Sequence, residues 1–128
     1  MSVQAKPSHR SSNEGAVLTK ATIRAADKLD VSQKTLASII GVSEAVISRM
    51  RKGSFALERS SGKSFELATL FIRLYRSLDA IVGGDEAVAK AWMKNENTVL
   101  RSRPIDRIQK VQGLIDVIQY LDARRAPI

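Results

Sequence analysis

Residues 33–49 read QKTLASIIGVSEAVISR, and the spacing within this stretch decides the fold of the N-terminal half. Ala37 lies four residues before Gly41, and the branched Ile47 lies six residues after it. A small residue lets two helices approach closely, glycine makes a sharp turn without a Cβ clash, and a branched side chain fills the angle between helices. The stretch therefore predicts a helix-turn-helix whose second helix stands out from the surface.

The residues around this motif supply the expected helix ends. Ser32 and Ser43 are placed to cap the two helices, because a serine hydroxyl accepts hydrogen bonds from the free amides of a first turn. Gly41 and Gly53 are placed to end the same helices. Upstream, apolar residues recur at intervals of three and four from about Val17, which predicts another amphipathic helix; they are Leu18, Ala21, Ala25 and Leu29.

Helical periodicity continues through the rest of the chain. A long helix is predicted over residues 64–82, because two consecutive glycines follow it. Asp85 is placed to cap a further helix whose apolar face presents Val88, Ala91 and Trp92. One last helix is predicted from Pro104, with a buried stripe of Ile105, Ile108, Val111, Ile115 and Ile118. No segment alternates apolar and polar residues as a strand would. The predicted fold is therefore all-α: an N-terminal helix-turn-helix bundle followed by a C-terminal helical domain.

Composition narrows the classes of function. The chain has 21 Lys and Arg against 13 Asp and Glu, a net charge of +8. Residues 1–63 hold 11 of the basic and 5 of the acidic residues, a net charge of +6, which favours an anionic partner such as nucleic acid. With no cysteine and a single histidine, His9, we expect no metal site, no cofactor and no catalysis. No apolar run is long enough for a membrane span or a signal peptide, so we expect no membrane partner and a cytoplasmic protein.

Three segments are predicted. Residues 1–16 form a flexible basic arm, residues 17–63 a helix-turn-helix domain, and residues 64–128 a C-terminal domain, with the polar connector before residue 64 as the boundary. The arm either reaches into a DNA minor groove or is a solvated tail, and its two cations, Lys6 and Arg10, favour the tail.

The exposed face of the second motif helix is the candidate DNA-binding surface. It comprises Ser43, Glu44, Ala45, Ser48, Arg49 and Lys52. Arg49 is the favoured guanine reader because its fork matches O6 and N7, and Gln33 and Lys34 are placed to contact phosphates. Glu44 either accepts a hydrogen bond from a cytosine amino group or stabilises the helix through its interaction with the positive N-terminal end. The alternative is an ordinary helical hairpin in which Arg49, Arg51 and Lys52 are a solvated face.

The two halves resemble parts of one known family. Residues 33–49 resemble the helix-turn-helix of Xre-type regulators. The remainder resembles the C-terminal domain of the MbcA/ParS/Xre antitoxins, on Ala91-Trp92-Met93, Asn97, Leu100, Arg103-Pro104-Ile105-Asp106 and the run from Gly113 to Leu121. Met93 stands where that family usually has leucine, and the glycine common near its end is missing here.

The resemblance implies an antitoxin whose partner is a RES-domain toxin that destroys NAD. It implies neutralisation by occlusion of the toxin's active site, a homodimer, and repression of its own operon through operator DNA. Arg124, Arg125, Pro127 and Ile128 then either enter the toxin cleft or, in the case of the arginines, complement the negative end of the last helix. The predicted core or dimer residues of the C-terminal domain are Trp92, Pro104, Gly113, Ile115 and Ile118.

Two of these residues have open alternatives. Trp92 is either plain core or an exposed contact for a partner, with core favoured. Gly113 lies within an apolar helix, where it costs about 1 kcal/mol relative to Ala. A close contact between helices or between chains is therefore expected to compensate. The competing function is a stand-alone dimeric Xre-type repressor without a toxin partner.

Overall fold

In the computed structural model, the backbone of residues 5–125 and the side chains of residues 13–125 are described. Within this part of the chain the regular structure is helical, which confirms the all-α prediction. The helices are α1 (Ala5–Lys28), α2 (Gln33–Ile40), α3 (Glu44–Lys52), α4 (Lys63–Ile81), α5 (Glu86–Lys94), α6 (Pro104–Arg107) and α7 (Val111–Arg125), with a 3₁₀ turn at Arg59–Ser61. Among them, no helix is long and apolar enough to cross a membrane.

Helices α2 and α3 form the predicted helix-turn-helix. Ser32 Oγ accepts from the Thr35 amide at 3.1 Å, and Ser43 Oγ accepts from the Val46 amide at 3.2 Å, so both predicted N-caps are confirmed. Gly41 ends α2 in the left-handed conformation at φ 73°, and its amide donates to the Ala37 carbonyl. Local sequence signals therefore set both ends of the turn.

The first helix begins earlier than the sequence predicts. A flexible arm is expected over residues 1–16, whereas α1 already begins at Ala5; residues 1–4 lie outside the described part. Non-local contacts hold the segment near residue 15 in the helix. Glu14 accepts two hydrogen bonds from Arg59, at 2.8 and 2.7 Å. Gly15 packs so closely on Leu57 that a Cβ there would lie 1.9 Å from the Leu57 carbonyl oxygen.

Helix α4 is the centre of the molecule. It packs against α1, α2 and α7, and one continuous hydrophobic core results. Its buried residues are Leu67, Ala68, Phe71, Ile72, Leu74, Ser77 and Leu78. A division of the chain before residue 64 stays a prediction, but it would separate α4 from the helix-turn-helix that it packs on.

The C-terminal helices bury different faces from those predicted. Helix α5 buries Ala89 and Met93, whereas Val88 and Ala91 are exposed and Trp92 is half-buried. The single last helix is in fact two, α6 and α7, because the chain turns at residues 108–110. That turn shifts the register, so α7 buries Leu114, Val117, Ile118 and Leu121, while Val111 is exposed and Ile115 is half-buried.

Candidate functional site

Helix α3 presents an exposed polar face beside a buried apolar one. Ile47 and Met50 are buried against the core, which fixes the rotation of the helix about its axis. The opposite side carries the predicted DNA-binding residues: Ser43, Glu44, Ala45, Arg49 and Lys52 are exposed, and Ser48 is half-buried. The structure thus brings all six onto the accessible side of one short helix and its cap.

The start of α2 lies beside the start of α3. Gln33 Nε2 donates to the Glu44 backbone carbonyl at 3.2 Å, which links the two helices at their N-terminal ends. Gln33 therefore has a structural contact that the sequence does not reveal, in addition to its predicted place at a phosphate. The next residue, Lys34, is exposed.

The three cations of α3 are not equivalent. Arg51 donates to both carboxylate oxygens of Asp27 on α1, at 3.1 and 3.0 Å, and this hydrogen bonding raises the pKa of Arg51. Arg49 and Lys52 form no ion pair with any described side chain. Arg51 therefore ties α3 to α1, while Arg49 and Lys52 are available to an anion.

At the other end of the chain, the two predicted toxin-binding arginines both contact neighbouring side chains. The Arg124 guanidinium lies 4.9 Å from the centre of the Tyr120 ring, and its Nε donates to the Tyr120 hydroxyl at 2.8 Å. Arg125 Nη1 donates to Ser77 Oγ on α4 at 3.1 Å. Both arginines are exposed, and Pro127 and Ile128 lie outside the described residues.

Asp122 anchors this end of α7 to α4, a role that no sequence pattern indicates. Its carboxylate accepts from Ser77 Oγ at 2.8 Å and pairs with Arg73. Burial raises the pKa of Asp122, but the hydrogen bonds from Ser77 and Arg73 outweigh it, so the net pKa lies below its ordinary value. Asp122 and Arg125 thus share Ser77, and the last turn of α7 is held on α4.

The remaining predicted residues of the C-terminal domain divide into core and surface. Pro104 and Ile118 are buried. Trp92 is half-buried and stacks on Tyr120, with ring centres 6.2 Å apart and planes 17° apart. The core position next to it is taken by Met93, which is fully buried. Trp92 therefore covers the edge of the core close to Arg124.

Gly113 makes the close contact that its position in an apolar helix led us to expect. A Cβ there would lie 2.0 Å from the Arg107 carbonyl oxygen, so α6 and α7 approach within the chain at a distance that only glycine allows. Asn97, another residue of the resemblance, accepts from the amides of Val99 and Leu100, both at 3.0 Å, and shapes the loop before α6.

A helix-turn-helix with an exposed cationic second helix defines a DNA-binding class of protein. Residues 9–73 match the antitoxin Xre-like helix-turn-helix domain, and residues 77–126 match the antitoxin Xre/MbcA/ParS C-terminal toxin-binding domain. The chain therefore belongs to the Xre-type antitoxins, the DNA- and toxin-binding partners in toxin–antitoxin systems. No curated protein matches it.

Proposed function

We propose that this antitoxin neutralises a RES-domain, NAD-degrading toxin by covering the toxin's active site, and that it represses its own operon as a homodimer. It acts by binding rather than by catalysis, in the cytoplasm where its operator lies. The observation that carries the DNA part of the proposal is the accessible face of α3, on which Arg49 and Lys52 have no described carboxylate partner.

Recognition of the operator begins at the N-terminal end of α3. In a helix-turn-helix this end of the second helix faces the base edges of the major groove. Arg49 reads guanine through its fork, Ser43 and Ser48 contact a base or a phosphate, and Lys52 adds charge near the backbone. Gln33 and Lys34 contact phosphate from the start of α2, close to the cap of α3. Two copies of α3 would meet half-sites about 34 Å apart.

Toxin binding is assigned to the C-terminal end of the chain. The resemblance to the MbcA/ParS/Xre antitoxins supports a RES-domain partner, and the exposed Arg124 and Arg125 carry positive charge that an acidic group in the toxin cleft would attract. Asp122, through Ser77 and Arg73, fixes the turn from which this end emerges. Pro127 and Ile128 complete the proposed occluding segment.

The DNA-binding assignment is tested by comparing two arginines of one helix. Arg49→Ala is expected to weaken operator binding by about 1–3 kcal/mol in a gel-shift titration at fixed salt. Arg51→Ala removes the same charge from the same helix, but Arg51 is engaged with Asp27, so its effect on affinity should be much smaller. Equal losses for both variants would show that α3 contributes only charge, and no loss for Arg49→Ala would show that α3 is not the recognition helix.

The toxin-binding assignment is tested by shortening the chain. Deletion of residues 126–128 leaves α7 and its contacts with α4 in place. Cells that co-express the toxin with this variant are expected to stop growing, while the purified variant still shifts operator DNA. Full protection of the cells by the shortened antitoxin would contradict the occluding role of the C-terminal end.

A further inference from the structure

A groove on the side of the molecule is lined by three helices, and of its lining residues only Arg125 belongs to the proposed DNA and toxin contacts. Its volume is about 1420 Å³. Its apolar lining comes from α1, α4 and α7, and includes Val17, Leu18, Phe65, Leu70, Val111 and Ile115. This volume exceeds the roughly 300–1,000 Å³ of small-molecule sites. It corresponds to about three turns of an α-helix, at about 420 Å³ per turn for a cylinder of 5 Å radius.

The two facing walls of the groove expose large apolar side chains. Val17 on α1 is 63% exposed and Val111 on α7 is 53% exposed, and both line the groove. Exposed apolar residues that converge on one concavity are typical of a binding surface. A helix laid between the walls would bury both valines, in the manner of an amphipathic helix in a hydrophobic groove.

The charges around the groove select the kind of helix. Of its cations, Arg59 is paired with Glu14, Lys63 with Glu66 and Arg73 with Asp122, whereas Arg76 and Arg125 form no ion pair with any side chain that is described. The end of the groove near Arg76 and Arg125 is therefore positive. A second copy of this chain would bring its own Arg76 and Arg125 to the same surface, where like charges repel. A helix with carboxylates along one edge would instead pair with the two arginines of the groove.

The position of the groove connects it to the toxin. Val17 and Phe65 belong to the segment that matches the helix-turn-helix domain, and Val111 and Arg125 belong to the segment that matches the toxin-binding domain. Arg125 also lies at the end of α7 from which the proposed occluding segment continues. A partner held by that segment is therefore adjacent to the groove.

We infer that the groove between α1, α4 and α7 docks an acidic amphipathic helix of the toxin, which adds a second contact to the C-terminal end. This inference rests on the proposed function, because the toxin is the partner. It places part of the toxin-binding surface on α1 and on the part of α4 before residue 77, outside the matched toxin-binding domain.

The docking site is tested first by charge reversal. Arg76→Glu is expected to weaken binding of the purified toxin at least about tenfold in a calorimetric titration, because it places a carboxylate opposite the acidic edge. Arg24→Glu makes the same change at an exposed site on α1 that does not line the groove, and its effect should stay below about twofold. Equal effects of the two variants would overturn the proposal. An unchanged thermal melt and operator shift would show that both variants are folded.

The second test locates the occupant by photocrosslinking. A photoreactive residue at position 111 is expected to crosslink to an acidic helix of the toxin, while the same residue at position 99 does not; Val99 is 65% exposed and lies outside the groove. A crosslink from position 111 to a second copy of the antitoxin would overturn the proposal in favour of a dimer surface. If the unmodified antitoxin fails to bind the toxin at all, both the proposed function and this inference are wrong. If it binds without a crosslink at position 111, the inference alone is wrong.

Discussion

Replacing Gly113 by alanine separates helix propensity from tertiary packing. Gly113 lies near the start of α7, and propensity alone predicts that alanine there stabilises the protein by about 1 kcal/mol. The structure predicts the opposite. The new Cβ would lie 2.0 Å from the Arg107 carbonyl oxygen and 2.8 Å from its carbonyl carbon. Backbone atoms cannot rotate out of the way, so α6 must move away from α7.

The size of the effect follows from that movement. Ordinary contact with a Cβ begins near 3.4 Å, so the two helices must separate by more than about 1 Å. Such overpacking costs about 1–3 kcal/mol, and it stretches the 2.8 Å hydrogen bond from Arg107 to Asp116, which adds about 1.5 kcal/mol. After the propensity gain of about 1 kcal/mol is subtracted, Gly113→Ala is expected to lower the free energy of unfolding by about 1.5–3.5 kcal/mol.

Urea unfolding followed by circular dichroism measures this difference. Gln119→Ala is the matched control, because Gln119 is exposed on the same helix and its replacement should change the free energy of unfolding by less than about 0.5 kcal/mol. A Gly113→Ala protein that unfolds at a higher urea concentration than the wild type would refute the close contact between α6 and α7.

Three further predictions concern contacts that hold the helices. Ser43→Ala should lower the free energy of unfolding by about 1 kcal/mol, because α3 loses its N-cap. Ser38→Ala, at an exposed site within α2, is the control, and equal effects of the two variants would contradict this prediction. Asp27→Ala should lower the free energy of unfolding by less than about 1 kcal/mol. In a double-mutant cycle its effect should not add to that of Arg51→Ala, and full additivity of the two effects would show that their ion pair contributes nothing. Since the folded protein lowers the pKa of Asp122, its stabilising effect is complete above the unfolded pKa of about 3.9 and is lost as the pH falls through the folded value. The stability difference between wild type and Asp122→Asn should therefore shrink below about pH 4, and a difference that is constant from about pH 6 to pH 3 would contradict the assignment.

The helix-turn-helix could be predicted from sequence because its signals are local. Ser32 and Ser43 cap the helices that directly follow them, and Gly41 adopts the conformation that its own turn requires. Ile47 is buried because it lies on the inner face of a short amphipathic helix. Each of these inferences needs only a few neighbouring residues.

The features that sequence reasoning missed depend on residues distant in the chain. The early start of α1 rests on contacts of Glu14 and Gly15 with the segment at residues 57–59. Arg51, which is not among the predicted DNA-binding residues, is engaged by Asp27, 24 residues away in the sequence. The periodicity of a single helix does not reveal partners on other helices. The sequence pattern of α3 therefore could not show which of its cations are available to bind DNA.

The C-terminal domain is harder to predict because a turn at residues 108–110 interrupts the helical pattern that begins at Pro104. The turn between α6 and α7 changes the register of the apolar stripe, and a continuous helix from Pro104 would have buried Val111, which is exposed. Two residues placed by the resemblance nevertheless have clear structural roles. Asn97 shapes a loop through its side chain, and Gly113 lets two helices meet.

The central proposal, that this antitoxin inactivates an NAD-degrading toxin, is tested most directly on the purified pair. The antitoxin is co-expressed with the product of the neighbouring reading frame, and native mass spectrometry gives the mass of the complex. NAD consumption is then measured for the complex and for the separated toxin. We predict a complex of fixed stoichiometry that leaves NAD intact, and a separated toxin that consumes it. A homodimer of the antitoxin without a companion, or a companion that does not consume NAD, would contradict the account.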